Sequence, residues 1–328
     1  MNKSESQAYT AESSSSVKTK TAKKNNNNNN RAYLYIAPFV IVFLSFNIYP
    51  ILLTFYYSVT NYTGMGGIEN ADFVGIDNYR RLITDDFFYQ AFFNTIKIWG
   101  ANFAIQISIA MGLALLFSDM RLKLKGLNTF RALFFLPNII TIASVALLFS
   151  ILLDWNYGSL NQMLLSLNIV DRPINWLNNP VYAQGWVALI GAWMWFGNTF
   201  IILMAGISGI PKDFYEAAYI DGANWWDSFT KITLPQLKPI LLYVFITSII
   251  GGLQIFDLPL LMTDGRGAPR GALNTMVIYL YNQGFSYANF GYSATIAYGL
   301  FIITIVFSAI TFKTMYRSQV KVKNGGKK

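Results

Sequence analysis

Six apolar runs recur along this chain, near residues 33–57, 92–117, 132–153, 181–207, 239–263 and 291–312. Each is long enough to cross a bilayer, whose hydrocarbon core of about 30 Å takes about 20 residues in helical form. Inside that core every backbone N–H and C=O must be satisfied within the protein. The chain is therefore expected to be an all-α polytopic membrane protein with six transmembrane helices. An ordinary soluble enzyme, a disordered regulator and a secreted disulfide scaffold are excluded, in keeping with a sequence that is 54% hydrophobic and only 12% charged. The first run is too long for a signal-peptide core and lacks a small-residue cleavage site at its end, so it is expected to be retained. Pro38 and Pro50 interrupt it, which is tolerable where neighbouring helices re-satisfy the freed carbonyls.

The segments between the runs alternate between rich and poor in basic residues. Of the 25 lysines and arginines, nineteen fall before residue 32, in 118–131, in 208–238 or after 312, five fall in the other connections, and Lys97 lies inside the second run. This positive-inside bias predicts that both termini are cytoplasmic. It also accounts for the net charge of +9, so a nucleic-acid partner is not needed to explain it. The first 31 residues are rich in Ser, Lys and Asn, ending in the run Asn25 to Asn30, and are expected to be a disordered tail. Residues 314–328 form a second basic tail. Between these lie the first helix with its external loop, residues 32–91, and a five-helix core, residues 92–313.

Several chemistries are absent. The chain has no cysteine and no histidine, which removes thiol nucleophiles, Cys/His zinc sites, Ser-His-Asp triads and imidazole-bound haem. It has no GxxxxGK[ST] loop either. Energy must come from a partner or an ion gradient, and no cofactor is expected on this chain. The external loops carry Tyr and Trp at their borders, suited to interfacial anchoring or to docking an external partner, two readings the loops alone do not separate. A surface helix is expected over Ser159 to Leu167 and an amphipathic stretch over Thr275–Tyr281.

The 211–235 loop between the fourth and fifth runs is the most informative segment. Pro211 stands at a helix start and Gly222 at its end, with Phe214, Ala217 and Ala218 on one face. A second short helix is expected to carry Trp225, Phe229 and Ile232 on one face and to end at Leu234-Pro235. Two short amphipathic helices at a glycine bend make a compact knob. Its small alanines allow another backbone to approach, and Glu216 offers a charge for a basic partner.

Glu216-Ala217-Ala218, then Gly222, Ile232 and Leu234-Pro235 at this spacing, resembles the EAA loop of bacterial ABC importer permeases. With Asp221, Ala223, Phe229 and Pro239 the likeness extends to the sugar-importer, maltose-type branch. Weaker echoes cover most of the chain: Phe73 to Tyr79, Asn94-Thr95, Trp176-Leu177, Phe256-Asp257 and Gly291-Tyr292. The resemblance implies a type I ABC importer permease fold in the bacterial cell membrane. It also implies a second homologous permease, a cytoplasmic ABC ATPase dimer and an extracytoplasmic sugar-binding protein as partners. Within the loop it implies that Glu216 pairs with a basic residue of the ATPase and that Gly222 makes the bend. The chain departs from the best-known maltose subunit in having six spans and no large external inserted domain.

Within the spans, Gly251, Gln254 and Asp257 are spaced as one helical ridge. A carboxylate in a span costs about 2.5–3.5 kcal/mol, so Asp257 either lines a polar path or locks helix packing through a hydrogen bond. The fourth span reads Gly191-Ala192-Trp193-Met194-Trp195-Phe196-Gly197-Asn198. Aromatic rings stack on the apolar C–H faces of pyranoses and amides bond their hydroxyls, a combination suited to neutral carbohydrate. Packing on lipid or a partner helix is the alternative. The resemblance implies Trp193, Met194, Trp195, Gln254 and Ile255 as sugar contacts, and the side-chain amide the family carries at Gly191 is missing. Asn198 joins them by its place on the Trp195 face, and Asn102 with Gln106 either lines the same path or holds helices together.

The reading is thus an ATP-driven carbohydrate importer subunit, with an oligosaccharide as the expected cargo. An alternative keeps the fold and changes the cargo. Anions would want basic residues in the spans, where only Lys97 is available, and metals would want His, Cys or clustered acids, which are absent. A membrane-embedded transferase would need a catalytic cluster that the spans lack.

Overall fold

The computed structural model describes residues 27–64, 67, 71–118, 126–263, 265 and 267–325, with side chains placed from Tyr33 to Met315 among them. The expected disorder of residues 1–26 and the basic residues Arg121, Lys123 and Lys125 lie outside the described residues. All named elements are helical. The chain divides into two compact units, residues 1–53 and 54–328. The first holds α1 (Asn27–Phe43), a wide π turn (Leu44–Ile48) and the start of α2 (Tyr49–Ser58), which carries the chain into the second. The helix begins within the asparagine run that the sequence reading assigned to a disordered tail. The apolar run behind it extends the helix backwards, since propagation costs less than nucleation.

In the second unit, α3 (Asp77–Ile83) and the long α4 (Asp86–Ser118) lead to α5 (Leu127–Ile139) and α6 (Ile142–Leu152). There follow a surface helix α7 (Ser159–Ser166), α8 (Pro180–Ser208), the short pair α9 (Lys212–Ile220) and α10 (Trp225–Ser228), then α11 (Leu234–Leu253) and α12 (Asp257–Met262). The chain closes with α13 (Met276–Tyr281) and α14 (Phe290–Gly325). Among the described residues five helices are long and apolar enough to cross a membrane, and α5 with α6 makes a sixth if that pair is one span. The third apolar run is not one straight helix: α5 and α6 meet at 85°. Ile140 and Thr141 adopt extended backbone, and the Thr141 hydroxyl caps α6 by accepting from Ser144 N–H at 3.3 Å.

The core is built on α4 against α8, the most extensive pairing. Phe88, Ala91, Ile98, Phe103, Ala110 and Ala114 form the buried face of α4 at helical spacing. Small residues let the neighbours of α8 come close, as in other membrane helix pairs. A Cβ on Gly197 would fall on the Phe134 backbone carbonyl of α5. The Gln106 amide donates to the Thr199 hydroxyl at 2.6 Å inside this interface.

Buried and half-buried polar groups also tie the connecting segments down. Asn78 donates to the carbonyls of Ser58 and Thr60 at 3.1 and 2.8 Å. Asn94 donates to Gly271 and Asn274 carbonyls and accepts from Gln184. Asp85, just before α4, accepts hydrogen bonds from Tyr279 at 2.5 Å and from Tyr292, with the Arg81 guanidinium 3.8 Å above the Tyr292 ring. Burial pushes the Asp85 carboxyl upward, but the two tyrosine hydroxyls and the Phe88 and Phe87 amides outweigh it and hold it below the usual carboxylate range.

The fifth span departs from expectation. Gly251, Gln254 and Asp257 do not share one helical ridge, because α11 stops at Leu253 and α12 starts at Asp257. Pro259 has no N–H to offer the carbonyl four residues back and its ring clashes there, so Ile255 cannot be a helical acceptor. The fully buried Thr275 hydroxyl takes that carbonyl instead, at 2.8 Å.

Candidate functional site

The 211–235 loop builds a knob from purely local signals. Pro211 precedes α9 in extended conformation, where its missing N–H costs nothing. At the other end Gly222 takes φ +80°. Its N–H reaches Tyr219 O at 3.1 Å and Ala223 N–H reaches Ala218 O at 2.9 Å, a Schellman closure that turns the chain sharply. Asn224 and Asp227 cap α10 reciprocally, and Asp227 pairs with Lys231 at 2.6 Å. Trp225 stacks on Phe229 with centroids 5.7 Å apart, and Tyr215 is hydrogen-bonded to the buried Thr233 at 2.9 Å, tying α9 to the root of α11.

No residue of α9 is buried. Glu216, Ala217, Asp221 and Gly222 are exposed, while Ala218, Ala223, Phe229, Ile232, Leu234 and Pro235 are half-buried. Ile220 is 83% exposed, an apolar side chain at the knob tip that motif spacing did not single out. The second helix does not end at Leu234-Pro235 as expected. A π turn over Phe229–Thr233 runs straight into α11, whose first turn contains Pro235. The widened turn makes room for the proline ring, so the chain continues where a regular helix would have stopped.

A cavity of about 320 Å³ lies between α4, α8, α11 and the α11–α12 break. Of the residues singled out in the spans, Met194, Trp195, Asn198, Gln254, Ile255 and Asp257 line it together, with Asn102 and Gln106. Trp195 is 47% exposed there. Asp257 is exposed on its wall at the first turn of α12, where the helix N-terminus suits a carboxylate. Trp193 lies elsewhere: two residues from Trp195, it is turned by about 200° about the helix axis, onto Phe149 at 5.9 Å.

Trp99, Thr247 and Ser248 complete the wall, and sequence reading missed them. Trp99 lies flat over Gly252, where a Cβ would collide with its ring, and its N–H donates to Ser248 at 3.1 Å. The only signal for it in the sequence is that glycine pair. Where the chain lacks an amide at Gly191, the Asn102 amide of α4 fills the space, donating to Ala188 O at 3.2 Å. No lysine or arginine lines the cavity among the described residues. It joins amides, hydroxyls and indole rings around a surface open to water, and it contains no nucleophile–base pair.

Comparison with known proteins identifies the family. Residues 106–322 match the family model of the binding-protein-dependent transport system inner membrane component. The lactose transport system permease protein LacF of Rhizobium radiobacter is 34% identical over 283 residues, covering 86% of this chain and 93% of that protein. The arabinooligosaccharides transport system permease protein AraP of Bacillus subtilis is 35% identical over 282 residues, covering 86% of this chain and 87% of that protein. A crystal structure of a bacterial ABC transporter that imports the acidic polysaccharide alginate shares the fold, with a TM-score of 0.75 at 21% identity over 89% of this chain and 96% of that one. With its helical crossings, exposed knob and half-open polar cavity, the chain belongs to the family of binding-protein-dependent transport system inner membrane components, as a multi-pass permease of the ABC importer type.

Proposed function

We propose that this chain is one membrane subunit of an ATP-driven, binding-protein-dependent importer of carbohydrate, with a neutral oligosaccharide as cargo. The observation that carries the reading is the convergence of Trp195, Asn198, Gln254 and Asp257 on one open cavity without basic groups. Stacking surfaces beside amides and a carboxylate suit a ring with apolar faces and equatorial hydroxyls. The relatives named for lactose and arabinooligosaccharide transport support the same cargo class. By the family resemblance a second, homologous permease would complete the path. A separate ATPase dimer would grip α9 through Glu216, Ala217, Ala218, Asp221 and Gly222, and an external sugar-binding protein would deliver the cargo. The bias of basic residues towards both tails and the 208–238 loop supports cytoplasmic termini, with residues 92–313 as the transport core. Closure of the ATPase, passed through the knob, would switch the cavity between the two membrane faces; no bond in the cargo is made or broken.

The test is uptake of radiolabelled lactose, maltotriose and arabinotriose into cells carrying the complete importer, wild type against Trp195→Ala. A rise in KM of about three- to tenfold is expected on loss of one stacking surface, with normal amounts of assembled complex. Unchanged kinetics for every transported sugar would remove Trp195 and this cavity from the path.

A further inference from the structure

We propose that a groove beside the cavity is a second carbohydrate subsite, receiving the part of an oligosaccharide that the cavity does not hold; it rests on the carbohydrate reading above. The groove has a volume of about 590 Å³ and lies between α12 and the π turn that follows α13, Asn282–Ser286. Tyr281 and Tyr287 line it with aromatic side chains, Asn282 and Ser286 with polar ones, and Leu260 and Leu261 with apolar ones. Asn282 is held in place, donating to Gly265 O at 3.3 Å and accepting from the Ser286 hydroxyl at 3.3 Å. The wide turn brings these groups onto one side, a distortion that recurs at functional positions.

Continuity with the cavity identifies the occupant. Phe256 lines the cavity, and its ring lies 5.4 Å from that of Tyr281, which lies 5.1 Å from Phe285. The aromatic surface therefore runs unbroken from the cavity wall into the groove. Helix α12 serves both, Asp257 and Leu258 facing the cavity and Leu260 and Leu261 the groove. Tyr287 is 66% exposed, so most of its ring is not covered by the rest of the chain. The side chains that line the groove among the described residues are uncharged. At about 320 Å³ this chain's cavity is at the small end of ligand pockets, and a longer cargo needs a surface beyond it.

The experiment measures uptake of a labelled homologous series, disaccharide to pentasaccharide, of a glycan the complete wild-type importer transports. Tyr287→Ala, a change at an exposed ring, is expected to raise KM for the longest members by about three- to tenfold. The disaccharide should stay within about twofold, and Tyr287→Phe should behave as wild type. Tyr281→Leu is the second variant and should show the same length dependence. An equal loss at all lengths, or less assembled complex on purification, would make the groove a protein interface and overturn the proposal. No change at any length would make the rings membrane anchors and overturn it too. A wild type that takes up no carbohydrate would refute the parent reading instead, a result distinct from a length-independent effect.

Discussion

Replacing Thr275 by valine removes one hydroxyl, keeps the side-chain shape, and reaches the cavity without touching it. Thr275 is fully buried. Its oxygen donates to Ile255 O at 2.8 Å and accepts from Ile278 N–H at 3.3 Å as the cap of α13. The first bond holds the unwound turn that presents Gln254, Ile255 and Asp257. Loss of a helix cap costs about 1 kcal/mol and a buried carbonyl left without a partner about 1–3 kcal/mol, so Thr275→Val should lower stability by about 2–4 kcal/mol. The carbonyl share acts on the turn itself. Once the turn samples other positions, apparent affinity is scaled by the fraction of time it stays in place, a drop of about fivefold where that fraction is about one-fifth. Both quantities are measurable: unfolding of the purified protein in detergent–SDS mixtures, and the KM of sugar uptake. Thr275→Ser keeps the hydroxyl and should restore KM, which a purely volumetric defect would not. If Thr275→Val unfolds within about 0.5 kcal/mol of wild type with the same KM, Ile255 has another partner and the turn is not held in this way.

Glu216→Lys should abolish cargo-stimulated ATP hydrolysis by the assembled importer while leaving membrane insertion intact; coupled uptake at the wild-type rate would refute the coupling role of the knob. Gly197→Ala drives a methyl into the Phe134 carbonyl, an immovable neighbour. It should cost about 1–3 kcal/mol in the same unfolding assay, whereas Gly185→Ala, with open space around it, should be neutral. Asp85→Asn should be less stable than wild type at pH 7. The Asp85 carboxyl titrates lower folded than unfolded, so its contribution is present above the ordinary carboxylate value of about 3.9 and is lost as pH falls through the folded-state value. A stability difference that persists undiminished at pH 2 would show that ionisation is not its source.

What could be read from the sequence was what is decided locally or by bulk. Span positions follow from the length of apolar runs, which no tertiary contact revises. The bend at Gly222 follows from a positive φ that glycine tolerates best, and the knob is built from capping residues within a few positions of one another. The break at Gln254–Phe256 was harder, because its cause, Pro259, acts four residues back and its remedy, Thr275, comes from a distant segment. Trp193 and Trp195 read alike for a different reason. Residues two apart on a helix point to nearly opposite sides, and only the placement of Phe149 against α8 tells which of the two sides meets the cavity. The replacement of an amide at Gly191 by one from Asn102 is likewise invisible to a comparison made position by position.

The unbroken run from Trp225 through α11 to Leu253 makes the knob and the cavity floor two ends of a single strut. At 1.5 Å per residue the twenty residues of α11 span about 30 Å. A hydrogen-bonded helix is stiff along its axis, so an axial thrust at the near end arrives at the far end almost undiminished. Compliance is confined to the π turn at Phe229–Thr233 and to Pro239. Those joints absorb tilt and leave thrust intact, so a motor that rocks as it closes would still deliver a push to the place where Gln254 leaves the helix.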